Sequence, residues 1–284
     1  MERTKTAVLT GSTGGLGAAI TRLLADEGWK LVLLNRPSER SDRQARELAD
    51  RLGDERVHLY PADLMDLDEV SGAIDRIRAD HAELHALYNM SGVLTDTKVM
   101  SRQGAESHFA VNTLVPYVLS TRLRDRLASG ATPDDPALVV NTSSGVVKSV
   151  KRLDVASLRD PEEVGGLMGA YAQSKLAVTA VTCMLEQAFA QDGVVVVSVD
   201  PGPMKTAMTS NNTAMPWFLR LLVPVLFKSP ESVAQRMLRG LESARVGRAG
   251  GAFLSIDKRI ETPAIAMDAE VHAKLRDVME AIIG

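Results

Sequence analysis

The sequence predicts an α/β protein, a single Rossmann-type domain over residues 1–284 with helices on both faces of a doubly wound parallel sheet. Strand and helix patterns alternate from residue 6 onwards, as expected for a parallel sheet with crossover helices. The strand patterns KLVLLN and VVVVSVD are continuously apolar, which is typical of strands buried on both faces. A glycine-rich turn, TGSTGGLG, follows the first strand.

The N-terminal half supplies four strands. The first, TAVLT, leads into a helix whose leucines and isoleucine share one face and which stops at Gly28. The second is apolar throughout, and the helix after it is highly charged. The predicted strands are 6–10, 30–35, 57–60 and 86–89, with the later helices of this half at about 41–52 and 67–80.

The C-terminal half continues the alternation. Helices are predicted over about 104–128, 170–190 and 230–244, and strands at 137–142, 194–200 and 252–256. Three segments stand outside this scheme. They are interpreted as an active-site insertion with a short helix (145–169), a substrate lid (207–229) and a C-terminal tail (257–284).

Composition limits the classes of function. The 33 basic and 36 acidic residues give a net charge of −3, so electrostatic attraction to nucleic acid is not expected. The single cysteine, Cys183, excludes an internal disulfide and is interpreted as a buried hydrophobe rather than a reactive thiol. The histidines are scattered, and His81 and His85 are interpreted as surface residues, so no metal site is predicted. The N-terminus has no signal-type segment, which predicts a soluble cytoplasmic protein.

The glycine-rich turn is the first candidate site. Gly11, Gly15 and Gly17 stand between a strand and a helix, where bare backbone can approach a pyrophosphate. The free N–H groups and the dipole of the helix N-terminus then stabilise the phosphate charge. A tight turn without a ligand is the alternative interpretation.

A tyrosine and a lysine form the second candidate site. Tyr171 and Lys175 are four residues apart, which places both side chains on one face of a helix. A lysine held there is expected to lower the pKa of the phenol. Acid–base chemistry near neutral pH requires a shift of about three units, or roughly 4 kcal/mol. With the dinucleotide turn, the pair predicts hydride transfer between a nicotinamide and a carbonyl or alcohol.

The spacing T-G-x-x-x-G-x-G and the Tyr/Lys pair together resemble the short-chain dehydrogenase/reductase family, over nearly the whole chain. The resemblance implies cofactor contacts in PADL, in NMSG where the family usually has Asn-Asn-Ala-Gly, and in PGPMKT. With the glycine turn and the second strand end, the implied contacts are Gly11, Ser12, Thr13, Gly15, Leu16, Gly17, Arg36, Asp63, Leu64, Asn89, Ser91, Gly92, Tyr171, Lys175, Pro201, Gly202 and Thr206.

The end of the second strand bears on the choice of nucleotide. An acid there would bind the ribose 2′-hydroxyl of NAD(H) and repel a phosphate, but this chain has Asn35-Arg36. A guanidinium suits the 2′-phosphate of NADP(H), and Ser12 or Thr13 can add a hydroxyl contact. The sequence therefore favours NADP(H) over NAD(H), the alternative being that Arg36 simply faces solvent.

The resemblance also implies a catalytic set. Tyr171 is the general acid and base, Lys175 tunes it and binds the ribose, and Ser144 polarises the substrate oxygen. Ser143 is the alternative to Ser144. Asn112 corresponds to the position that holds a proton-relay water.

The sequence adds its own support at Asn112. Pro116, four residues on, has no N–H to donate back to the carbonyl of residue 112. We therefore expect that carbonyl to accept from a water.

The substrate side has two features. Ser144 and Tyr171 are 27 positions apart, longer than in standard family members and similar to the retinol dehydrogenase and carbonyl reductase branches. The insertion is expected to interfere with the helix pairing of family dimers, so both a monomer and a homodimer stay open. The apolar segment 214–227 is too short to span a bilayer. It is interpreted as a lid over a lipophilic pocket, a weak peripheral membrane contact, or ordinary packing.

The sequence thus predicts an NADP(H)-dependent carbonyl reductase or alcohol dehydrogenase. Its expected partner is a medium-sized lipophilic ketone, aldehyde or alcohol, retinoids and polyketide-type intermediates included, and no nucleic acid. The alternative is a non-catalytic NADP(H)-binding sensor or scaffold that has kept the fold.

Overall fold

The computed structural model describes residues 4–204 and 228–284 and contains an eight-stranded sheet in the order β3-β2-β1-β4-β5-β6-β7-β8. The first seven strands are parallel and β8 pairs antiparallel to β7. This confirms the predicted Rossmann-type fold. The strands are β1 Thr6–Thr10, β2 Lys30–Asn35, β3 Val57–Pro61, β4 Ala86–Asn89, β5 Ala137–Thr142, β6 Val194–Asp200, β7 Phe253–Ser255 and β8 Lys258–Ile260.

Helices pack on both faces of this sheet. They are α1 Gly15–Asp26, α2 Glu39–Leu52, α3 Leu67–Asp80, α4 Ser107–Phe109, α5 Val115–Arg122, α6 Arg124–Gly130, α7 Ala170–Phe189, α8 Pro230–Val246 and α9 Ala269–Ile283. Side chains from α1, α2 and α8 form one apolar core, and those of α3, α5, α7 and α9 form the other. Because consecutive strand residues point to opposite faces, Val8 belongs to one core and its neighbour Leu9 to the other.

The helix predicted over 104–128 is wrong in its start and its continuity. The chain becomes helical only at Ser107, widens into a π-turn at Ala110–Leu114, and divides again at Leu123 between α5 and α6. The Val115 amide donates to the carbonyl of Ala110, five residues back. The widened turn lies directly before Pro116, which cannot donate a helical hydrogen bond.

Other sequence predictions need correction as well. Residues 257–284, assigned as a tail, contain β8 and α9, and α9 packs against α7. His81 and His85 are buried rather than on the surface. The ring Nδ1 of His85 accepts from the Thr6 amide at 3.0 Å, and burial lowers the pKa of His81 to about 4.

The structure describes the predicted insertion but very little of the predicted lid. Residues 145–169 form an irregular segment with three 3₁₀ turns, Gly145–Ser149, Val155–Ser157 and Gly166–Met168. The apolar segment 214–227 and nearly all of the predicted lid 207–229 lie outside the described residues.

Candidate functional site

The predicted site residues that follow strands lie at one edge of the sheet, beyond the carboxyl ends of β1 to β6, and Asn112, Tyr171 and Lys175 lie on helical segments. The strand order reverses between β1 and β4, which is where ligands bind in doubly wound sheets. The predicted Thr206 contact lies outside the described residues.

The glycine-rich turn has the shape needed for a bound pyrophosphate. Gly11 has a φ of +66°, and a Cβ added there would lie 2.9 Å from the Ser91 amide nitrogen. A Cβ on Gly17 would lie 2.1 Å from the Gly11 carbonyl oxygen. Helix α1 begins at Gly15, and its N-cap residue, Gly14, supplies no side-chain hydrogen bond to the first turn. The turn therefore offers bare backbone and a helix N-terminus, as a phosphate group requires.

Ser12 is held inside the protein. Its backbone amide donates to the Asn35 Oδ1 atom at 3.2 Å, and its hydroxyl accepts from the Asn35 side-chain amide at 2.7 Å. The same hydroxyl donates to the Gln44 Oε1 atom at 2.8 Å. The Ser12 hydroxyl is fully buried and engaged in these bonds, whereas Thr13, the other hydroxyl of the predicted pair, is half-buried.

Two arginines flank the glycine turn, of which sequence reasoning found one. Arg36 is exposed directly after β2. Arg40, in the first turn of α2, lies beside Gly14, and a Cβ added to Gly14 would be 3.8 Å from its Nη2 atom. Arg40 reaches the glycine turn only because of the path that the chain takes after β2. Its place in the sequence therefore did not indicate this contact.

The remaining predicted cofactor contacts fall into two groups. Asp63 is half-buried, with its Oδ1 atom accepting from the Met65 amide at 3.0 Å, and Leu64 is buried beside it. Ser91, Gly92, Pro201 and Gly202 are half-buried on loops at the same sheet edge.

Asn89 differs from these contacts. Its side-chain amide donates to the Asn141 Oδ1 atom at 2.8 Å between β4 and β5, and its side chain is buried. The structure therefore places the Asn89 side chain in the core, and the prediction that it contacts the cofactor finds no support there.

The first two turns of α7 carry the tyrosine and the lysine. The Lys175 ammonium lies 5.7 Å from the centre of the Tyr171 ring and donates to the Thr142 carbonyl at 2.8 Å. The Lys175 side chain is 3% exposed. Ser144, after β5, lies near enough to the Tyr171 phenol for its hydroxyl to lower the pKa of that group. The structure thus brings Ser144, Tyr171 and Lys175 together.

Ser143 points elsewhere. Its hydroxyl bonds to the Thr179 hydroxyl at 2.7 Å and to the Lys175 carbonyl at 3.2 Å, inside the protein. Between the two serines, the geometry therefore favours Ser144.

The electrostatics of the pair differ from the sequence expectation. Burial raises the pKa of Tyr171; the hydrogen bond with Ser144 acts in the opposite direction, and the Asp200 carboxylate adds to the rise. Burial also lowers the pKa of Lys175 to about 7. The pKa of the phenol is thus raised in this structure, where the sequence led us to expect that Lys175 would lower it, because desolvation disfavours the charge on both groups.

Asn112 lies within the π-turn and is 1% exposed. Its Oδ1 atom accepts from the Val93 amide at 2.8 Å, and its Nδ2 atom donates to the Val93 carbonyl at 3.0 Å. The same Nδ2 atom donates to the Ser174 hydroxyl at 3.0 Å. The side chain therefore joins the segment after β4 to helix α7. The water-accepting role of the Asn112 carbonyl stays a prediction.

A histidine next to the tyrosine escaped the sequence analysis. The His108 ring packs edge-on to the Tyr171 ring, with 6.1 Å between ring centres. Only the fold brings residue 108 to residue 171, so the sequence offered no periodic signal for this contact.

Comparisons with known proteins agree with this geometry. The family model of the short chain dehydrogenases matches residues 5–217. The chain is 28% identical to mouse polyprenol dehydrogenase over 95% of its own length and 81% of the relative. It is also 28% identical to mouse retinol dehydrogenase 12, over 99% of its own length and 86% of the relative. These matches confirm the resemblance to the retinol dehydrogenase branch.

Solved structures of similar fold include several complexes with NADP or NADPH. L-sorbose reductase from Gluconobacter frateurii, complexed with NADPH and L-sorbose, has a TM-score of 0.69 at 20% identity. The match covers 89% of this chain and 95% of that one. A short-chain dehydrogenase from Sphingobium yanoikuyae in complex with NADPH has a TM-score of 0.68 at 22% identity, covering 97% and 95%. At these identities the likeness shows the fold.

The predicted cytoplasmic location is wrong. The polyprenol and retinol dehydrogenases that the chain resembles over most of its length are membrane-associated enzymes. The lack of a signal-type segment therefore did not predict the location, because proteins also associate with membranes through surface contacts. Within residues 4–204 and 228–284, no helix is long and apolar enough to cross a bilayer.

Proposed function

Because the chain belongs to the short-chain dehydrogenase family, and so is an oxidoreductase acting between alcohol and carbonyl groups, we propose that it uses NADP(H) on a medium-sized lipophilic substrate. The observation that carries this proposal is the grouping of Ser144, Tyr171 and Lys175 at the sheet edge that also holds the glycine turn.

Each side chain has a role that follows from its surroundings. The Tyr171 phenol, with its raised pKa, is protonated at neutral pH and donates its proton to a substrate oxygen during reduction. The Ser144 hydroxyl, which lies near the Tyr171 phenol, donates to the same oxygen and stabilises its developing negative charge. The Lys175 ammonium lies near the Tyr171 ring and, when it is protonated, places a positive charge beside the phenol. Asn112 fixes the segment after β4 and, through its carbonyl, holds the relay water.

The residues at the glycine turn fit a phosphorylated dinucleotide. When bound, NADPH supplies the hydride for the carbonyl carbon. Gly11, Gly15 and Gly17 hold the pyrophosphate, while Arg36 and Arg40 bind the 2′-phosphate through their guanidinium groups. The NADPH complexes of similar fold support this choice of nucleotide.

Adenine and nicotinamide contacts follow from the family resemblance. Asp63 and Leu64 contact the adenine. Thr206, with Pro201 and Gly202, binds the carboxamide.

The lipophilic substrate class rests on two observations. Relatives of this chain are named for polyprenol and retinol, both isoprenoid alcohols. Leu167 and Met168, on the insertion directly before α7, expose 43% and 54% of their surface. Apolar side chains at this position favour an apolar molecule entering beside Tyr171.

The first test is the loss of the reduced nicotinamide absorbance with lipophilic aldehydes and ketones, comparing NADPH with NADH. We expect turnover with NADPH, and a rate at least about 100-fold lower for Tyr171→Phe with NADPH binding retained. Tyr117→Phe is the matched control, because Tyr117 is a buried tyrosine on α5. Retained turnover in Tyr171→Phe would contradict the proposed acid. Binding of NADPH without turnover across the panel favours the sensor alternative.

A further inference from the structure

We propose that Glu106 and His108 form a buried positioning pair, which fixes the Tyr171 ring and the 93–99 segment in their reactive arrangement. The inference rests on the proposed function, since it assigns a geometric requirement of the same site.

The carboxylate of Glu106 is enclosed by donors from its own turn. Its Oε1 atom accepts from the Ser107 hydroxyl at 2.7 Å and lies 2.9 Å from the His108 Nδ1 atom. Its Oε2 atom accepts from the His108 backbone amide at 2.9 Å. Glu106 and His108 are both 0% exposed. Burial tends to raise the pKa of Glu106, but the bonds from His108 and Ser107 outweigh it, and the net shift is downward.

The other ring nitrogen of His108 fixes the tautomer. The Thr95 backbone amide lies 3.2 Å from Nε2. An amide N–H only donates, so Nε2 accepts, and the ring proton resides on Nδ1 facing Glu106. The imidazole is thus held at both ends, by a carboxylate on one side and a backbone amide on the other. A carboxylate bonded to one ring nitrogen fixes the tautomer and the orientation of a histidine in this way.

The ring held in this way contacts Tyr171. The two ring centres are 6.1 Å apart and the ring planes meet at 78°, a favourable edge-to-face geometry. Through Thr95, the same histidine holds the segment after β4. Asn112 holds that segment at Val93, and the Ser107 amide donates to the Val99 carbonyl at 2.8 Å.

The pair also reaches the insertion. The Glu106 backbone amide donates to the Arg159 carbonyl at 2.7 Å. One short turn therefore ties together the tyrosine, the 93–99 segment and the insertion. A buried carboxylate costs stability relative to an apolar side chain. Here it holds the histidine whose ring packs against Tyr171.

The test compares two substitutions of His108. His108→Phe keeps a ring against Tyr171 but loses both hydrogen bonds, whereas His108→Gln keeps a donor and an acceptor without the ring. His272→Phe is the control, because His272 is also buried but bonds to the Ala266 carbonyl near α9. The measurements are kcat, KM, NADPH affinity, and hydrogen exchange of peptides that cover residues 93–99.

We expect kcat of His108→Phe to fall about 10- to 100-fold, as small misplacements of reacting groups do, with NADPH affinity unchanged and faster exchange at 93–99. His108→Gln should recover much of the protection, and His272→Phe should change neither property. Wild-type kcat and exchange in His108→Phe would overturn the inference. If the wild-type protein shows no turnover, the proposed function fails, while the exchange data still decide the anchoring: unchanged protection at 93–99 overturns it.

Discussion

Lys175 offers a test of the site that needs neither substrate nor cofactor. The lysine is buried in α7, and burial lowers its pKa from an ordinary 10.5 to about 7. Holding this charge in the folded protein therefore costs stability. Lys175→Met removes the charge while keeping a side chain of similar length, so the variant should lack whatever pH dependence the lysine causes.

The sign of that dependence follows from the two pKa values. Below about pH 7 the lysine is charged in both states, and the folded state bears the full cost. As the pH rises from about 7 toward 10.5, the folded state has released a proton that the unfolded state keeps, so stability increases. Between about pH 6 and about pH 9 this single group raises the free energy of unfolding by about 3 kcal/mol.

Urea unfolding at the two pH values measures the effect, provided that the slopes of the transitions match. Subtracting the pH difference of the variant from that of the wild-type protein cancels the other groups that titrate in this range. The difference between pH 6 and pH 9 should shrink by about 3 kcal/mol in Lys175→Met. Lys274→Met is the control, since Lys274 is exposed on α9 and paired with Glu270. Equal pH dependence in Lys175→Met and the wild-type protein would refute the buried-charge argument.

Three further substitutions test the site. Gly17→Ala should destabilise the protein by about 1–3 kcal/mol and weaken NADPH binding, because its Cβ would lie 2.1 Å from a backbone oxygen; Gly72→Ala, which meets nothing within 4 Å, should instead be stabilising in parallel thermal melts. Arg40→Ala should raise the Kd for NADPH about tenfold and leave that for NADH unchanged by fluorescence titration, and equal effects on both nucleotides would contradict a 2′-phosphate contact. Ser144→Ala should lower kcat about 100-fold with stability preserved, whereas Ser143→Ala should lower stability more than kcat; the reverse pattern in kinetics and melts would show that the serines are misassigned.

Most of the sheet could be predicted because its strands are continuously apolar and separated by clear turns. Runs such as VVVVSVD admit few other structures, and β6 at Val194–Asp200 has the predicted bounds. The exception is β8, whose Lys258 and Arg259 are exposed. A short polar edge strand pairs through its backbone and leaves no apolar pattern to detect.

The geometry of the candidate site could be predicted where a local motif fixes it. Tyr171 and Lys175 are one helical turn apart on the same face, so their proximity follows from the sequence spacing. The pKa of the phenol does not, because desolvation depends on everything packed around it. Arg40 and His108 were not predicted for a related reason. They reach the site through the tertiary fold of the chain, and no periodic pattern in the sequence marks them.

The hydrogen bonds of Asn112 show that the side chain at this position of the motif has a structural role. Its side chain ties Val93 to Ser174, while the atom proposed for proton relay is its main-chain carbonyl. Every amino acid has that carbonyl, so the proposed relay does not require asparagine, whereas the bonds to Val93 and Ser174 require its side-chain amide. In this chain the asparagine therefore marks a connection between a loop and a helix. A relative with another residue here can keep its chemistry, provided that a different bond holds the loop in place.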